Sequence, residues 1–336
     1  MQPSSPTSPR MSDVISWVVG RGGLLGRQVE LALESAGPVW HPQRPFTWGD
    51  QHTVERELQL ACREFAAALG GSRWQIAWCA GSGVVGSGSA HLEQETKAFT
   101  ALLAGITQSM PSNKNGAGTL FLASSSGGVY AGVGAPPFNE NSEVAPLAPY
   151  GWNKLEQESL AHRWSIETAT PLLIGRLSNL YGPGQNPSKG QGLITQVCLR
   201  VMSRQPLTLY VPPDTIRDYL FAKDAGQMVA DGMARLRLEP RTNSTPSVVK
   251  IFASQQPTTV STVLAQLRWI VKRPVSVIFA ESPNTARQAR DLRMASVVWP
   301  ELDRRPKTTL SEGMRSVLND LTKSYAPRLP ATAAER

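Results

Sequence analysis

The sequence predicts an α/β protein built on a doubly wound, mostly parallel sheet, with a smaller lobe formed by its C-terminal part. Two observations carry this. Through the first half of the chain, short β-rich apolar runs alternate with stretches of helical periodicity, as parallel strands joined by crossover helices require. After Gly182 the rhythm gives way to many prolines, short strands and short helices. The expected organisation is a disordered leader at 1–13, the main α/β domain at 14–182, a mainly substrate-binding lobe at 183–325 with segments crossing back, and a disordered tail at 326–336.

The elements follow in order. VISWVVG at 14–20 reads as a buried strand ending on glycine, and Leu25, Val29, Leu31, Leu33 and Ala36 give the next segment a helical face that Gly37 stops. Short strands are expected at Val39–His41 and near Phe46–Trp48, then a helix over 53–69. WQIAWCA at 74–80 reads as a buried strand running into the glycine-rich GSGVVGSG. A helix over 92–108, the polar PSNKNGAG at 111–118 and the strand TLFLASS come next. A helix carrying Tyr150 runs to about Thr168, and PLLIGRLSN supplies one further strand.

Composition narrows the function. The chain has 336 residues and a formal net charge of +8, with its Lys and Arg scattered rather than gathered in a run, so a nucleic-acid partner is not expected. No apolar stretch is long enough for a membrane span, and the Ser/Pro-rich start lacks the apolar segment of a secretory signal. Cys62, Cys79 and Cys198 form no CxxC pair and read as free thiols of a cytoplasmic protein. The four histidines make no HxxxH or HExxH pattern, so no metal site is expected.

Gly20, Gly23 and Gly26 form GxxGxxG between the first strand and first helix, with Arg21, Leu24 and Leu25 in the same turn. A dinucleotide pyrophosphate needs a tight turn, a backbone free of side chains and a helix N-terminus aimed at the phosphates. NAD-preferring sites place a carboxylate about 20 residues further on. Here the stretch is VWHPQRP, and Arg44 stands near that position. With Arg21 it would attract a ribose 2′-phosphate, so NADP is expected over NAD. Asp50 is expected at the adenine edge.

Ser124, Ser125 and Ser126 end a buried strand, which in such a sheet is the ligand crevice. Tyr150 and Lys154 lie four apart on a helix, hence on one face. A phenol titrates near 10 when unperturbed, and a neighbouring ammonium is expected to bring it down toward working range. The set predicts hydride transfer at a carbinol carbon, with the nicotinamide carrying the redox chemistry.

Together these residues resemble the extended short-chain dehydrogenase/reductases of the nucleotide-sugar epimerase/dehydratase family, over Val14 to about Leu321. The resemblance implies a Rossmann fold and a nucleotide-diphosphate sugar as substrate. SSSGGVYAG matches the family motif whose third serine is catalytic, which falls on Ser126. AGSGVVG implies cofactor contact at Ala80 and Gly81. RLSNLYGPGQ implies a substrate asparagine at Asn179, and the segment around Arg217 implies a grip on the diphosphate. Thr309 and Glu312 are spaced as a capping box. A homodimer through the helices at 92–108 and 151–168 is also implied. Gly127 and Gly128 stand where family dehydratases carry an Asp–Glu pair, so dehydration is not expected. The reaction expected is epimerisation by transient hydride transfer, with NADPH-dependent reduction of a keto-sugar as the alternative. A non-catalytic dinucleotide sensor is the reading from another class.

Overall fold

The structure is a computed structural model describing residues 14–110, 117–190, 192–240, 247–280 and 289–325. The expected leader and tail lie outside the described residues. Six parallel strands form the main sheet: β1 (Val14–Val19), β2 (Val39–Trp40), β3 (Arg73–Trp78), β4 (Gly118–Ser125), β5 (Leu172–Leu177) and β9 (Ser247–Phe252), in the order β2-β1-β3-β4-β5-β9. Helices α1 (Leu24–Glu34), α2 (Gln51–Ala68), α3 (Ser89–Ser109), α5 (Pro149–Thr168) and α7 (Ala222–Leu236) cover it, and α4 (Ser126–Tyr130) is a single turn at the end of β4.

The strands read as apolar runs because both faces are covered. On β1, Trp17 and Val19 face α2 and α3 in one core, while Val18 faces α1 and α7 in the other. The first core is aromatic: Trp17, Phe65, Trp74, Trp78 and Phe99 are all buried in it. The strand expected near Phe46–Trp48 is absent, and the segment from His41 to Gly49 is irregular. Pro42 and Pro45 deny it ladder donors, and its aromatics pack as side chains instead. Phe46 lies 5.5 Å from Trp48, which lies edge-on 6.2 Å from Trp78.

Strand order reverses between β1 and β3, so the chain diverges above their carboxyl ends and leaves a crevice there. The second assembly sits beside it. β6 (Asn179–Tyr181), β8 (Ile216–Phe221) and β10 (Pro257–Thr259) form one small sheet, and β7 (Leu207–Leu209) with β11 (Val277–Phe279) another. Helices α6 (Leu193–Met202), α8 (Val260–Val271) and α10 (Leu310–Tyr325) enclose a separate core there around Tyr181, Val197, Val263 and Val317. α7 and β9 return to the large sheet from this half of the chain.

Two polar devices fasten the returning chain. Lys250 on β9 is fully buried, its ammonium donating to Ser296 Oγ, the Val298 carbonyl and Asp303 Oδ2 at 2.6–2.9 Å, the last at the end of α9 (Pro300–Asp303). Thr309 and Glu312 form the reciprocal capping box at α10, with Glu312 Oε2 accepting from Thr309 N at 3.0 Å and Thr309 Oγ1 accepting from Glu312 N at 3.3 Å. Among the described residues no helix is long and apolar enough to cross a membrane.

Candidate active site

A cleft of about 690 Å³ occupies the crevice, lined by the glycine turn, the loop after β3, the end of β4, α5 and residues of the lobe. In the turn, Gly20 adopts φ +91°, and a Cβ at Gly26 would come within 2.2 Å of the Gly20 carbonyl. Gly23 caps α1 with no side-chain acceptor, so the first N–H groups of that helix face the cleft without side-chain competition. Gly22, Gly23, Leu24 and Leu25 line the cleft, as do Ala80 and Gly81 across from them. The turn therefore fits a pyrophosphate: space, free donors and the positive end of a helix dipole coincide.

The adenosine corner differs from expectation. Arg21 pairs through Nε with Glu30 at 2.8 Å, and Glu30 also meets His41 Nδ1 at 3.2 Å. Glu34 completes this cluster, whose ligand atoms lie within 4.8 Å of one another. Arg44 is exposed on the chain leaving β2 and, like Arg21, does not line the cleft. Asp50 does not line the cleft. It is the N-cap of α2, its carboxylate accepting from the backbone N–H of His52 and Thr53 and from Thr53 Oγ1 at 2.8–3.3 Å. Those Thr53 bonds hold its pKa below the usual range.

The three serines diverge. Ser124 Oγ donates to Glu158 Oε1 at 2.5 Å, tying β4 to the buried Glu158–Arg176 pair on α5 and β5. Ser126 is fully buried and donates to the Leu177 carbonyl at 3.0 Å, turned away from the cleft. Ser125 caps α4, accepts from Gly128 N at 3.1 Å, lines the cleft and stands beside the Tyr150 phenol, on which its hydroxyl acts to lower the pKa. The motif places the role on Ser126, whereas the geometry presents Ser125. The strand-to-helix turn falls between them and rotates consecutive side chains in different directions. Beside them Gly128 gives the Tyr150 ring its space: a Cβ there would lie 3.1 Å from Tyr150 Cε1.

Tyr150 and Lys154 both line the cleft from α5. The Lys154 ammonium lies 5.8 Å from the Tyr150 ring centre and donates to Gln157 Oε1 at 3.1 Å. Burial pushes the Tyr150 phenol up to about 12, opposed by the Ser125 hydroxyl and reinforced by the Glu95 carboxylate. The expected lowering by lysine does not appear, and burial sets the direction of the shift. Burial lowers the Lys154 pKa, against the opposing pull of Glu95 and Glu158.

From the lobe, Asn179 opens β6 at the cleft wall, and Arg217 on β8 lines it although largely buried. Arg217 Nη1 donates to the Ile216 carbonyl at 2.8 Å rather than to its neighbour Asp218, which instead accepts from Ser254. Burial lowers the Arg217 pKa, with Tyr219 and Asp291 acting against it. Gln185, at the end of RLSNLYGPGQ, also lines this side, as do Asn186 and Lys189, which no sequence motif marks.

The fold and this cleft define a dinucleotide-type α/β site closed by a second lobe. Comparison with known proteins makes the class specific: residues 17–251 match the model of the NAD dependent epimerase/dehydratase family, and the chain belongs to that family. It is similar to a dTDP-L-rhamnose 4-epimerase of Burkholderia thailandensis, 32% identical over 101 residues, 30% of this chain and 28% of that protein. It is similar also to a dTDP-glucose 4,6-dehydratase of Salmonella typhimurium, 35% identical over 92 residues, 27% of this chain and 25% of that protein. The matched stretches thus span about a quarter of these relatives. Among solved structures, a Thermus thermophilus UDP-glucose 4-epimerase in complex with NAD superposes with a TM-score of 0.72 at 20% identity, covering 91% of this chain and 98% of that one. The RMD protein of Pseudomonas aeruginosa complexed with NADPH gives 0.72 at 20% identity, over 92% and 99%.

These relatives correct one expectation. Proteins named dTDP-glucose 4,6-dehydratase, from Salmonella typhimurium at 35% and Escherichia coli K12 at 34% identity, stand among the matches. Gly127 and Gly128 are therefore no ground for excluding dehydration.

Proposed function

We propose that this chain is a nicotinamide-dinucleotide-dependent enzyme acting on nucleotide-diphosphate sugars, and that it epimerises a sugar carbinol carbon. The observation that carries the reading is the convergence, in one cleft, of a pyrophosphate-shaped turn with Ser125, Tyr150 and Lys154 and with Asn179 and Arg217 of the lobe. The turn at Gly20–Gly26, the α1 N-terminus, Ala80 and Gly81 would hold the dinucleotide, which when bound supplies the hydride acceptor and donor. Lys154 holds the nicotinamide ribose hydroxyls and adds positive charge beside the phenol. Tyr150 takes the proton from the substrate hydroxyl and returns it, and Ser125, beside the phenol, offers its hydroxyl to the same substrate oxygen. Arg217, desolvated and without a salt bridge among the described residues, offers its guanidinium to the diphosphate. Asn179 binds the sugar.

Net reduction of a keto-sugar by NADPH is the second reading, supported by the exposed Arg44 and the missing carboxylate at the end of β2. Arg21 is paired with Glu30, whereas Arg44 makes no salt bridge among the described residues. A homodimer through α3 and α5 belongs to the same proposal, supported by Trp152, 59% exposed beside a groove between these helices.

Calorimetry with NADH, NADPH, UDP, dTDP and GDP tests the reading. At least one dinucleotide and one nucleotide diphosphate bind the wild-type protein, with NADPH the tighter dinucleotide if Arg44 acts as argued. Binding of no nucleotide diphosphate would remove the nucleotide-sugar claim.

A further inference from the structure

The loop after β3, Gly81-Ser82-Gly83, lines the cleft opposite the glycine turn, and such a loop ordinarily offers its backbone N–H groups to a bound anion. Here two of those groups are already taken. Glu95, projecting from the second turn of α3, accepts from Ser82 N at 2.5 Å and Gly83 N at 2.6 Å through the same oxygen, Oε1. Its side chain is 10% exposed, and His91 Nε2 lies 3.4 Å from Oε1 while also contacting Ser82 Oγ at 2.9 Å. The other oxygen, Oε2, is buried with no hydrogen-bond partner among the described residues. The carboxylate reaches the loop because the backbone carries no side chains there: a Cβ at Gly83 would lie 3.1 Å from Oε2, and one at Gly81 3.2 Å from it.

We infer that Glu95 is a positioning residue for the dinucleotide, an internal anion that fixes the 81–83 loop in its cleft-lining shape before the cofactor arrives. A flexible glycine loop must otherwise be ordered on binding, at a cost in backbone entropy. Charge-assisted bonds from a rigid helix remove that penalty in advance. The captured N–H groups are thereby withdrawn from the phosphates, which are left to the α1 N-terminus and the β1–α1 turn. The inference rests on the dinucleotide reading above, and it concerns affinity and loop order rather than chemistry.

Glu95→Gln and Glu95→Ala separate the roles, because the amide oxygen can still accept both N–H bonds while alanine cannot. Dinucleotide affinity, read by NADH or NADPH fluorescence, falls about 10- to 100-fold in E95A, the scale of one charged-acceptor interaction. In E95Q most of the affinity returns. Amide hydrogen exchange at Ser82 and Gly83 accelerates in E95A and not in E95Q, while exchange in β1, β3 and β4 is unchanged in both. E95A binding and exchanging like wild type would overturn the inference, and so would E95Q as weak as E95A. Wild-type protein binding neither dinucleotide would instead count against the proposed function itself.

Discussion

At the scale of single residues, the site is decided by where three adjacent serines point. Ser124 is committed to Glu158 and Ser126 to the Leu177 carbonyl, which leaves Ser125 against Tyr150. Ser125→Ala should lower turnover about 10²-fold, the scale of a group assisting proton transfer. Ser126→Ala should leave turnover near the wild-type value while removing a buried hydrogen bond worth about 1 kcal/mol of stability. Kinetics and thermal melts of the two variants check this, and the opposite ranking of turnover would return the role to Ser126. The sequence displays the pair Tyr150–Lys154 plainly, because an i,i+4 spacing on a helix fixes a shared face. It does not display which serine faces them, because the turn from β4 into α4 sets that direction. Glu95 carries no motif at all. Its partners are 12 and 13 residues away across a loop whose path only the fold supplies.

At the scale of elements, strands buried on both faces were legible as apolar runs, as Val14–Val19 and Gly118–Ser125 show. Phe46–Trp48 misled for a physical reason: aromatic residues favour strands, yet these follow two prolines and pack as side chains instead. The attachment of β9 was invisible, since its only unusual mark is a lysine at 250 that the fold buries completely. Asp303→Ala would leave that ammonium buried beside neutral partners and should destabilise the protein by about 3–5 kcal/mol in denaturant unfolding. A loss below about 1 kcal/mol would mean the ion pair is no clasp. The helices also carry an alkaline limit. Burial pushes the Cys62 thiol on α2 and the Cys198 thiol on α6 from near 9 up to about 12. A raised folded-state pKa means the native state holds its proton more tightly than the unfolded chain. The stability from these thiols is therefore complete below about pH 9 and lost as pH rises toward 12. Melting temperature against pH should fall across that window, and less steeply in a Cys62→Ala/Cys198→Ala variant. Identical slopes would assign the loss to other groups.

At the scale of the whole molecule, the large sheet supplies the switch point between β1 and β3, and the lobe brings Asn179 and Arg217 to its open side. The division follows from topology: one half of the chain holds the glycine turn with Tyr150 and Lys154, and the other faces them with polar and cationic groups. The most direct test is to mix the protein with UDP-, dTDP- and GDP-sugars and a saturating dinucleotide, and to follow nicotinamide absorbance together with the sugar products. The account predicts a sugar product with the wild-type protein, formed without net change in the nicotinamide if the hydride returns to the sugar. Tyr150→Phe should slow this by about 10²-fold or more while leaving dinucleotide binding intact. A protein that binds dinucleotide yet converts no nucleotide sugar, or whose activity is indifferent to Tyr150→Phe, would contradict it.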